Sequence, residues 1–303
     1  MLLLFCFILV AYATLIKDNT RVTRSAVDLP FPIPNREVKP ERADGTAIKC
    51  GRVGSCPMFL GRSKRMKEME TNAFRLQRIL QALAVGDDVI RNNACDEALS
   101  FIDSLPDNQK DIVWPQIVPH LIMLGRWAEA DKMIDNMMTS KDESCVVNAY
   151  IARIEYWRKQ PAPDDKKIMK AIDCYLSFAK QTGNEHTIIS AYLIQGLHRV
   201  HHQLYSDAIK DFSEVAFLAD YLHSRHYAAL SKYHTGYCLY KLGKLSLANE
   251  YLHRATELAW YEKNPQIAKQ SETMRAIVLM DQGKNDEALT VMKQWEKQFA
   301  TQV

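Results

Sequence analysis

Six alanines recur along the chain at nearly constant spacing, each inside a stretch whose apolar residues follow the period of a helix. They are Ala98, Ala130, Ala171, Ala208, Ala248 and Ala288. The steps between them are 32, 41, 37, 40 and 40 residues. Ala248 shares its apolar stripe with Leu245 and Leu252, and a small residue on such a stripe allows a second helix to approach closely. A repeat of this length predicts a stack of helix–turn–helix units, which is an α-solenoid.

The composition agrees with an all-α chain. The 303 residues include only 11 glycines and 11 prolines, and several of the prolines lie before residue 58. The remainder is rich in alanine, leucine, lysine, glutamate and glutamine at helical period, with few alternating β-branched residues. We therefore predict an all-α domain of about six helical hairpins in residues 66–303, a length that is ample for a hydrophobic core.

One repeat carries a more specific pattern of small and apolar residues. The pattern consists of Gly236, Leu239, Gly243, Leu245, Ala248, Leu252 and Ala255. It resembles the tetratricopeptide repeat, and the period near 40 is similar to the long-repeat subclass of that family rather than to the usual ~34 residues. The resemblance covers roughly residues 66 to 299. It implies a scaffold that is not an enzyme, holds no cofactor and binds a protein or a peptide segment.

The resemblance also implies where a partner would bind, because the first helix of each unit lines the concave face in tetratricopeptide arrays. In the fifth unit this register gives Tyr233, Tyr237, Tyr240 and Lys241. The Lys and Asn clamp of the family's chaperone-tail binders is absent, and an aromatic, aliphatic groove suits an amphipathic helix or an apolar strand. The alternative is that these residues pack against neighbouring repeats, as we expect for Leu193 and Ile277 in the flanking units.

The first residues of the chain have the pattern of a signal peptide. Residues 2–10 form a continuous apolar run, and Ala11-Tyr12-Ala13 has the small-x-small form of a signal peptidase site. Because the run is too short to cross a bilayer, we predict a signal peptide at residues 1–13, cleaved after Ala13, and no membrane span after its removal. The alternative is an uncleaved anchor that reaches Ile16.

Residues 14–65 are predicted to be a disordered linker or pro-region. They contain alternating prolines, which favour extended geometry, and 11 Lys and Arg against 5 Asp and Glu. Within them, Arg62, Lys64 and Arg65 match the basic site that furin-like convertases cut, and the preceding glycine could be consumed by an amidating enzyme. Cys50 and Cys56 could close a small disulfide ring in an oxidising compartment. The alternative function is thus a secreted precursor of a short amidated peptide.

The predicted localisation is the secretory pathway or the exterior of the cell, although two features favour a cytoplasmic alternative. Four further cysteines, Cys95, Cys145, Cys174 and Cys238, are scattered through different predicted helices. The sequence also contains no N-x-S/T glycosylation sequon. In the cytoplasmic alternative the chain is a cytosolic or membrane-anchored assembly factor.

The sequence offers little for catalysis, metal binding or nucleic-acid binding. It contains no GxGxxG, GxxxxGK[ST], HExxH or GxSxG motif. The linker accounts for more than the whole net charge of +3, so the helical body is mildly acidic and predicts no nucleic-acid partner. His198, His201 and His202 have a spacing that could bind a metal, but we interpret them as a polar helix end. Pro115 and Pro119 are expected to interrupt helices.

Overall fold

All the secondary structure of the described residues is helical. The computed structural model describes residue 72, residues 74–84 and residues 87–300, and it contains no β-strand among them. Residues 74–84 are helical. They are followed by α1 (Asp88–Asp103), α2 (Asp107–Met123), α3 (Trp127–Met138), α4 (Glu143–Lys159), α5 (Asp165–Thr182), α6 (Glu185–His201), α7 (Tyr205–Tyr221), α8 (Arg225–Lys241), α9 (Leu245–Tyr261), α10 (Pro265–Asp281) and α11 (Asn285–Ala300). The prediction of an all-α solenoid of helical hairpins is confirmed.

The chain divides into two compact units, Met1–Ala98 and Leu99–Val303, and α1 crosses the boundary. In the first unit, Glu97 on α1 accepts a hydrogen bond from Nε of Arg75 at 3.3 Å and another from Arg78. These charge-assisted bonds tie the helix of residues 74–84 to α1. In the second unit each helix packs against the next one along the chain, as in a stack of hairpins.

The recurring alanines lie on the second helix of each hairpin, and all of them are buried. Within the second unit the exposed fraction is 0% for Ala130, Ala208 and Ala248, 7% for Ala171 and 2% for Ala288. An alanine adds little side-chain bulk and loses no rotamer entropy on burial. The predicted role of these positions as points of close helix approach agrees with this burial.

Two glycines on first helices show how close the approach is. A Cβ added to Gly196 of α6 would lie 2.6 Å from Cε1 of Phe212 on α7. A Cβ added to Gly236 of α8 would lie 2.8 Å from Cγ of Leu252 on α9. Real carbon atoms do not approach this closely, so the two hairpins depend on the missing side chain, despite the cost of about 1 kcal/mol that glycine brings to a helix interior.

The turns inside the last three hairpins share one backbone geometry. Gln203, Gly243 and Gly283 are spaced by 40 residues and have φ of 61°, 75° and 77°. In the middle turn the N–H of Lys244 donates to the carbonyl of Leu239 at 2.9 Å, which caps the end of α8 in the manner of a Schellman motif. This common geometry explains why the 40-residue period is regular in this part of the chain.

The expectation that Pro115 and Pro119 interrupt helices is wrong, because both lie inside α2. A proline in a helix interior costs about 3 kcal/mol through its missing donor and its steric clash. Ile117, Val118 and Leu121 on the same helix are completely buried. Each such burial contributes roughly 1.5–3 kcal/mol, so tertiary packing outweighs the local preference.

Candidate functional site

The four predicted binding residues lie in the second half of α8, which packs against α6, α7, α9 and α10. Because four helices contact it, most of the surface of α8 is buried. Tyr233 is only 6% exposed, Tyr237 and Tyr240 are partly buried, and Lys241 is exposed. The structure thus separates the predicted set into one core residue and three residues that solvent can reach.

The three accessible residues form one cluster, which we call the tyrosine–lysine site: Tyr237, Tyr240 and Lys241. The Nζ atom of Lys241 lies 5.4 Å from the ring centroid of Tyr237 and 5.3 Å from that of Tyr240. Both distances fall within the roughly 6 Å over which a cation and an aromatic ring attract each other. One ammonium group therefore contacts two aromatic rings at the end of α8.

A hydrogen bond joins this site to the next hairpin. The hydroxyl of Tyr240 donates to Oδ2 of Asp281, the last residue of α10, at 2.8 Å. This bond holds the hydroxyl proton and raises the pKa of Tyr240 above its ordinary value. The sequence interpretation missed Asp281. The signal was nonetheless present, because Asp281 follows Tyr240 by one repeat period plus one residue, where the ends of successive first helices meet.

The surroundings of Tyr237 determine the pKa of its hydroxyl. Burial raises the pKa of its hydroxyl, and Tyr205 at the start of α7 raises it further. Both tyrosines of the site are therefore neutral at physiological pH; the Tyr240 hydroxyl donates its proton to Asp281, and the Tyr237 hydroxyl can donate a hydrogen bond. The aromatic faces and the ammonium group of Lys241 together offer apolar surface and positive charge side by side.

Tyr233 belongs to the core between repeats. Its ring meets that of His234 edge-on, with centroids 5.1 Å apart, and His234 in turn stacks on Phe212 of α7 at 5.0 Å. Burial raises the pKa of Tyr233. The side chain is therefore placed to support α8 rather than to touch a partner.

The flanking repeats differ from each other at the corresponding positions. Leu193 of α6 is 6% exposed and packs as expected. Ile277 of α10 is 36% exposed, so the expectation that it packs against a neighbouring repeat is wrong for the described residues. The physical reason is that this register position is not a full core position, since Leu197 and Tyr237, which hold it in the two preceding repeats, are also only partly buried.

The histidines predicted to mark a polar helix end lie where α6 ends. His198 is 6% exposed, and its ring centroid is 4.5 Å from that of His202. Burial lowers the pKa of His198 to about 4, and the nearby Arg158 adds to the effect. Nε2 of His202 lies 3.4 Å from Oδ1 of Asp165 on α5. Among the described residues no group of three or more histidine, cysteine or acidic side chains is arranged to hold a metal ion.

Cys145 and Cys238 are buried free cysteines on different helices. Burial, with a further contribution from Asp111, raises the pKa of Cys145 to about 12, and burial raises that of Cys238 to about 12. A thiol with so high a pKa is a poor nucleophile, since the thiolate is the reactive form. Both residues act as small apolar groups in the core.

The predictions for the amino-terminal part fall outside the described residues. They concern the cleavage position Ala13, the cysteine pair Cys50 and Cys56, and the basic site Arg62, Lys64 and Arg65. These residues stay predictions from sequence. In the part of the chain that the structure describes, no helix is long and apolar enough to cross a membrane.

The fold and the site define the class as a helical-repeat protein. No protein-family model and no curated protein matches the chain. Among solved structures, the chain is similar to a Signal Transduction ATPase with Numerous Domains protein with a tetratricopeptide repeat sensor from Pyrococcus horikoshii. That likeness has 13% identity and a TM-score of 0.55, and it covers 68% of this chain and 34% of the other. The chain thus spans about a third of that protein.

A second similar structure is BtubC (BKLC) from P. vanneervenii. It is 12% identical, with a TM-score of 0.58, and the match covers 75% of this chain and 92% of the other. At these identities the likeness shows the fold alone. Both matches agree with the stack of helical hairpins described above.

Proposed function

We propose that the chain is a non-enzymatic, tetratricopeptide-like scaffold that binds a protein or peptide segment through the tyrosine–lysine site. The observation that carries the proposal is the position of the Lys241 ammonium group, 5.4 Å and 5.3 Å from the ring centroids of Tyr237 and Tyr240. Tyrosine is enriched at interfaces because its ring supplies apolar area and its hydroxyl supplies a donor. The resemblance of the repeats to a family of binding scaffolds supports the same function.

The site is partly ordered before any partner arrives. The Tyr240 hydroxyl is fixed by Asp281, and the Tyr237 ring packs against the core of the repeat. Since little side-chain freedom is left to lose, more of the contact energy goes into affinity. The chemistry fits a segment that places apolar side chains on the rings and a hydrogen-bond acceptor near Lys241. An amphipathic helix or an apolar strand has both, and neither needs a cofactor or a nucleic acid.

Replacement of Tyr237 by alanine is expected to weaken binding of such a segment by about 1–2 kcal/mol, or roughly five- to thirtyfold, because an aromatic anchor is lost. The ligands would be peptides selected from a displayed random library against the immobilised chain. Their affinity for the wild type and the variant would be measured by calorimetry, alongside a thermal melt. Lys241→Ala is expected to weaken binding in the same direction, and the loss should shrink as salt is added.

The matched control is Tyr251→Ala in the same hairpin. Tyr251 is also partly buried and lies near a lysine, since Nζ of Lys232 is 5.9 Å from its ring centroid. This substitution should leave peptide affinity unchanged. If Tyr237→Ala lowered the melting temperature sharply while the folded fraction still bound every selected peptide with wild-type affinity, the site would be structural and the proposal would fail.

We further propose that the chain enters the secretory pathway, on the strength of the apolar run and cleavage pattern of residues 1–13. Expression in secretory cells followed by mass spectrometry of the mature amino terminus is expected to give Thr14 as the first residue. A terminus at Met66, lost in an Arg65→Ala variant, would instead support the peptide-precursor function. An intact Met1 would favour the cytoplasmic or membrane-anchored alternative.

A further inference from the structure

Basic residues occur at the carboxyl ends of successive first helices but are nearly absent from those of the second helices. The last turns of four first helices contain His120 in α2, Arg158 and Lys159 in α4, His198, Arg199 and His201 in α6, and Lys241 in α8. The last turns of α3, α7 and α9 contain none, and that of α5 contains only Lys180. The helix dipole favours a cation at the end of any helix, so it does not explain why one set of helices is preferred.

The basic ends of α4, α6 and α8 lie near one another. Arg158 at the end of α4 is close enough to His198 of α6 to contribute to the lowering of its pKa. At the next junction α6 contacts α8, and Tyr205, just beyond the end of α6, helps to raise the pKa of Tyr237. The positive ends of three first helices therefore lead to the tyrosine–lysine site.

Three of these basic residues occupy the same place in their helices. Lys159, His201 and Lys241 are the last residues of α4, α6 and α8, and we call them the basic row. His201 and Lys241 are exposed, and Lys159 is half-buried. Both lysines carry a positive charge at physiological pH, and a histidine does so when protonated. The basic row thus extends the charge of Lys241 across two further repeats.

The carboxylates close to the basic row already have partners within the chain. Oε1 of Glu155 accepts a hydrogen bond from Arg158 at 2.9 Å, and Oδ1 of Asp211 accepts one from Arg199 at 2.6 Å. These ion pairs balance the two arginines, so the basic row supplies a net positive charge although the helical body as a whole is mildly acidic. The row ends at α8, because α10 has no basic residue in its last turn and ends with Asp281.

We propose that the partner segment bound at the tyrosine–lysine site is acidic, with its carboxylates on the basic row and its apolar side chains on Tyr237 and Tyr240. This inference rests on the proposed function and names the chemistry of the partner. Complementary charge gives such a contact specificity and a fast association rate. Packed helices lie about 8–10 Å apart and an extended chain rises about 3.3 Å per residue, so a carboxylate at about every third residue matches the row.

The first test compares two synthetic peptides in calorimetry with the full-length chain. In one peptide, two leucines are followed by aspartate at every third position, and in the other each aspartate is replaced by asparagine. The aspartate peptide is expected to bind at least about tenfold more tightly, and the difference should shrink as salt is added. Peptides selected from a random library should likewise be enriched in aspartate and glutamate.

Charge reversal in the protein locates the contact. Lys159→Glu and His201→Glu are each expected to weaken binding of the aspartate peptide by roughly three- to tenfold and to leave the asparagine peptide unaffected. Tyr237→Ala should weaken both peptides, because both place leucine on the rings. The matched control is Lys180→Glu, which makes the same change at the exposed end of α5, the far end of the α4–α5 hairpin from Lys159. It should leave both affinities unchanged, and circular dichroism should show that all variants are folded.

The outcomes separate this inference from the function on which it rests. Equal affinity of the wild type for the two peptides would overturn the acidic partner, and so would equal effects of Lys180→Glu and both reversals in the basic row. If library peptides still bound through Tyr237 in that case, the proposed function would stand without its acidic preference. If no peptide bound in a way that depends on Tyr237, both proposals would fail.

Discussion

Replacement of Phe212 by alanine is expected to lower the free energy of unfolding by about 3–5 kcal/mol, the range for truncating a fully buried aromatic residue. Phe212 is 0% exposed and packs both within its own hairpin and against the next hairpin. Within its hairpin the ring fills the space that the missing side chain of Gly196 leaves open. Toward the next hairpin it stacks on His234 at 5.0 Å. Its removal would leave a cavity against both α6 and α8, so the contacts with both helices would be lost together.

Urea denaturation followed by far-ultraviolet circular dichroism measures this loss. Phe217→Ala is the control, because Phe217 lies on the same helix α7 but is 69% exposed. Its free energy of unfolding should stay within about 0.5 kcal/mol of the wild type. If the two variants were destabilised equally, the helical register assigned to α7 would be incorrect. Because each hairpin packs on its neighbours, the loss at Phe212 should also broaden the transition by uncoupling the repeats.

The hairpin architecture was predictable because the same packing requirement recurs in each repeat of the sequence. Each second helix needs a small residue where its partner approaches, and Ala208, Ala248 and Ala288 mark that need at intervals of 40 residues. The low helix propensity of proline led to a wrong prediction in α2, where Pro115 and Pro119 were expected to interrupt helices but lie inside one. The burial of α2 side chains is a tertiary effect, and no short window of sequence contains it.

The binding site was predictable only in part. Helical spacing brings Tyr237 and Lys241 to one side of α8 but does not show that four helices contact α8 and that Tyr233 is buried among them. Asp281 was missed because a hydrogen bond between repeats depends on how the ends of two helices meet. The exposure of Ile277 was missed because helical spacing alone does not show that this register position, held by Leu197 and Tyr237 in the preceding repeats, is only partly covered. In each case the deciding quantity is the packing of one repeat on the next.

Acidification is expected to destabilise the fold through His234. Burial lowers the pKa of His234 from 6.5 to about 4. Between these values the unfolded chain binds a proton that the native state does not, so the contribution of His234 to stability is complete above pH 6.5 and is lost as the pH falls through 4. A pKa difference of this size corresponds to about 3 kcal/mol. His198, whose pKa burial also lowers to about 4, acts in the same direction.

Asp211 is a third buried titrating group, and its effect on stability has the opposite pH dependence to that of the two histidines. The pH profile of the wild type alone therefore cannot isolate His234. Burial raises the pKa of Asp211 to about 6 although Arg199 lowers it, and a raised carboxyl pKa gives stability that is present in acid and lost as the pH rises through 6.

The measurement is therefore a difference between two proteins. His234→Phe keeps an aromatic ring against Phe212 but has no titrating group, and whatever its absolute stability, its pH dependence should be shallower. Urea denaturation at pH 6.5 and pH 4 should show the wild type losing about 3 kcal/mol more than the variant. Equal losses in the two proteins would mean that His234 is protonated in the native state, and the aromatic contact between the α7 and α8 hairpins would then not be the neutral stack described above.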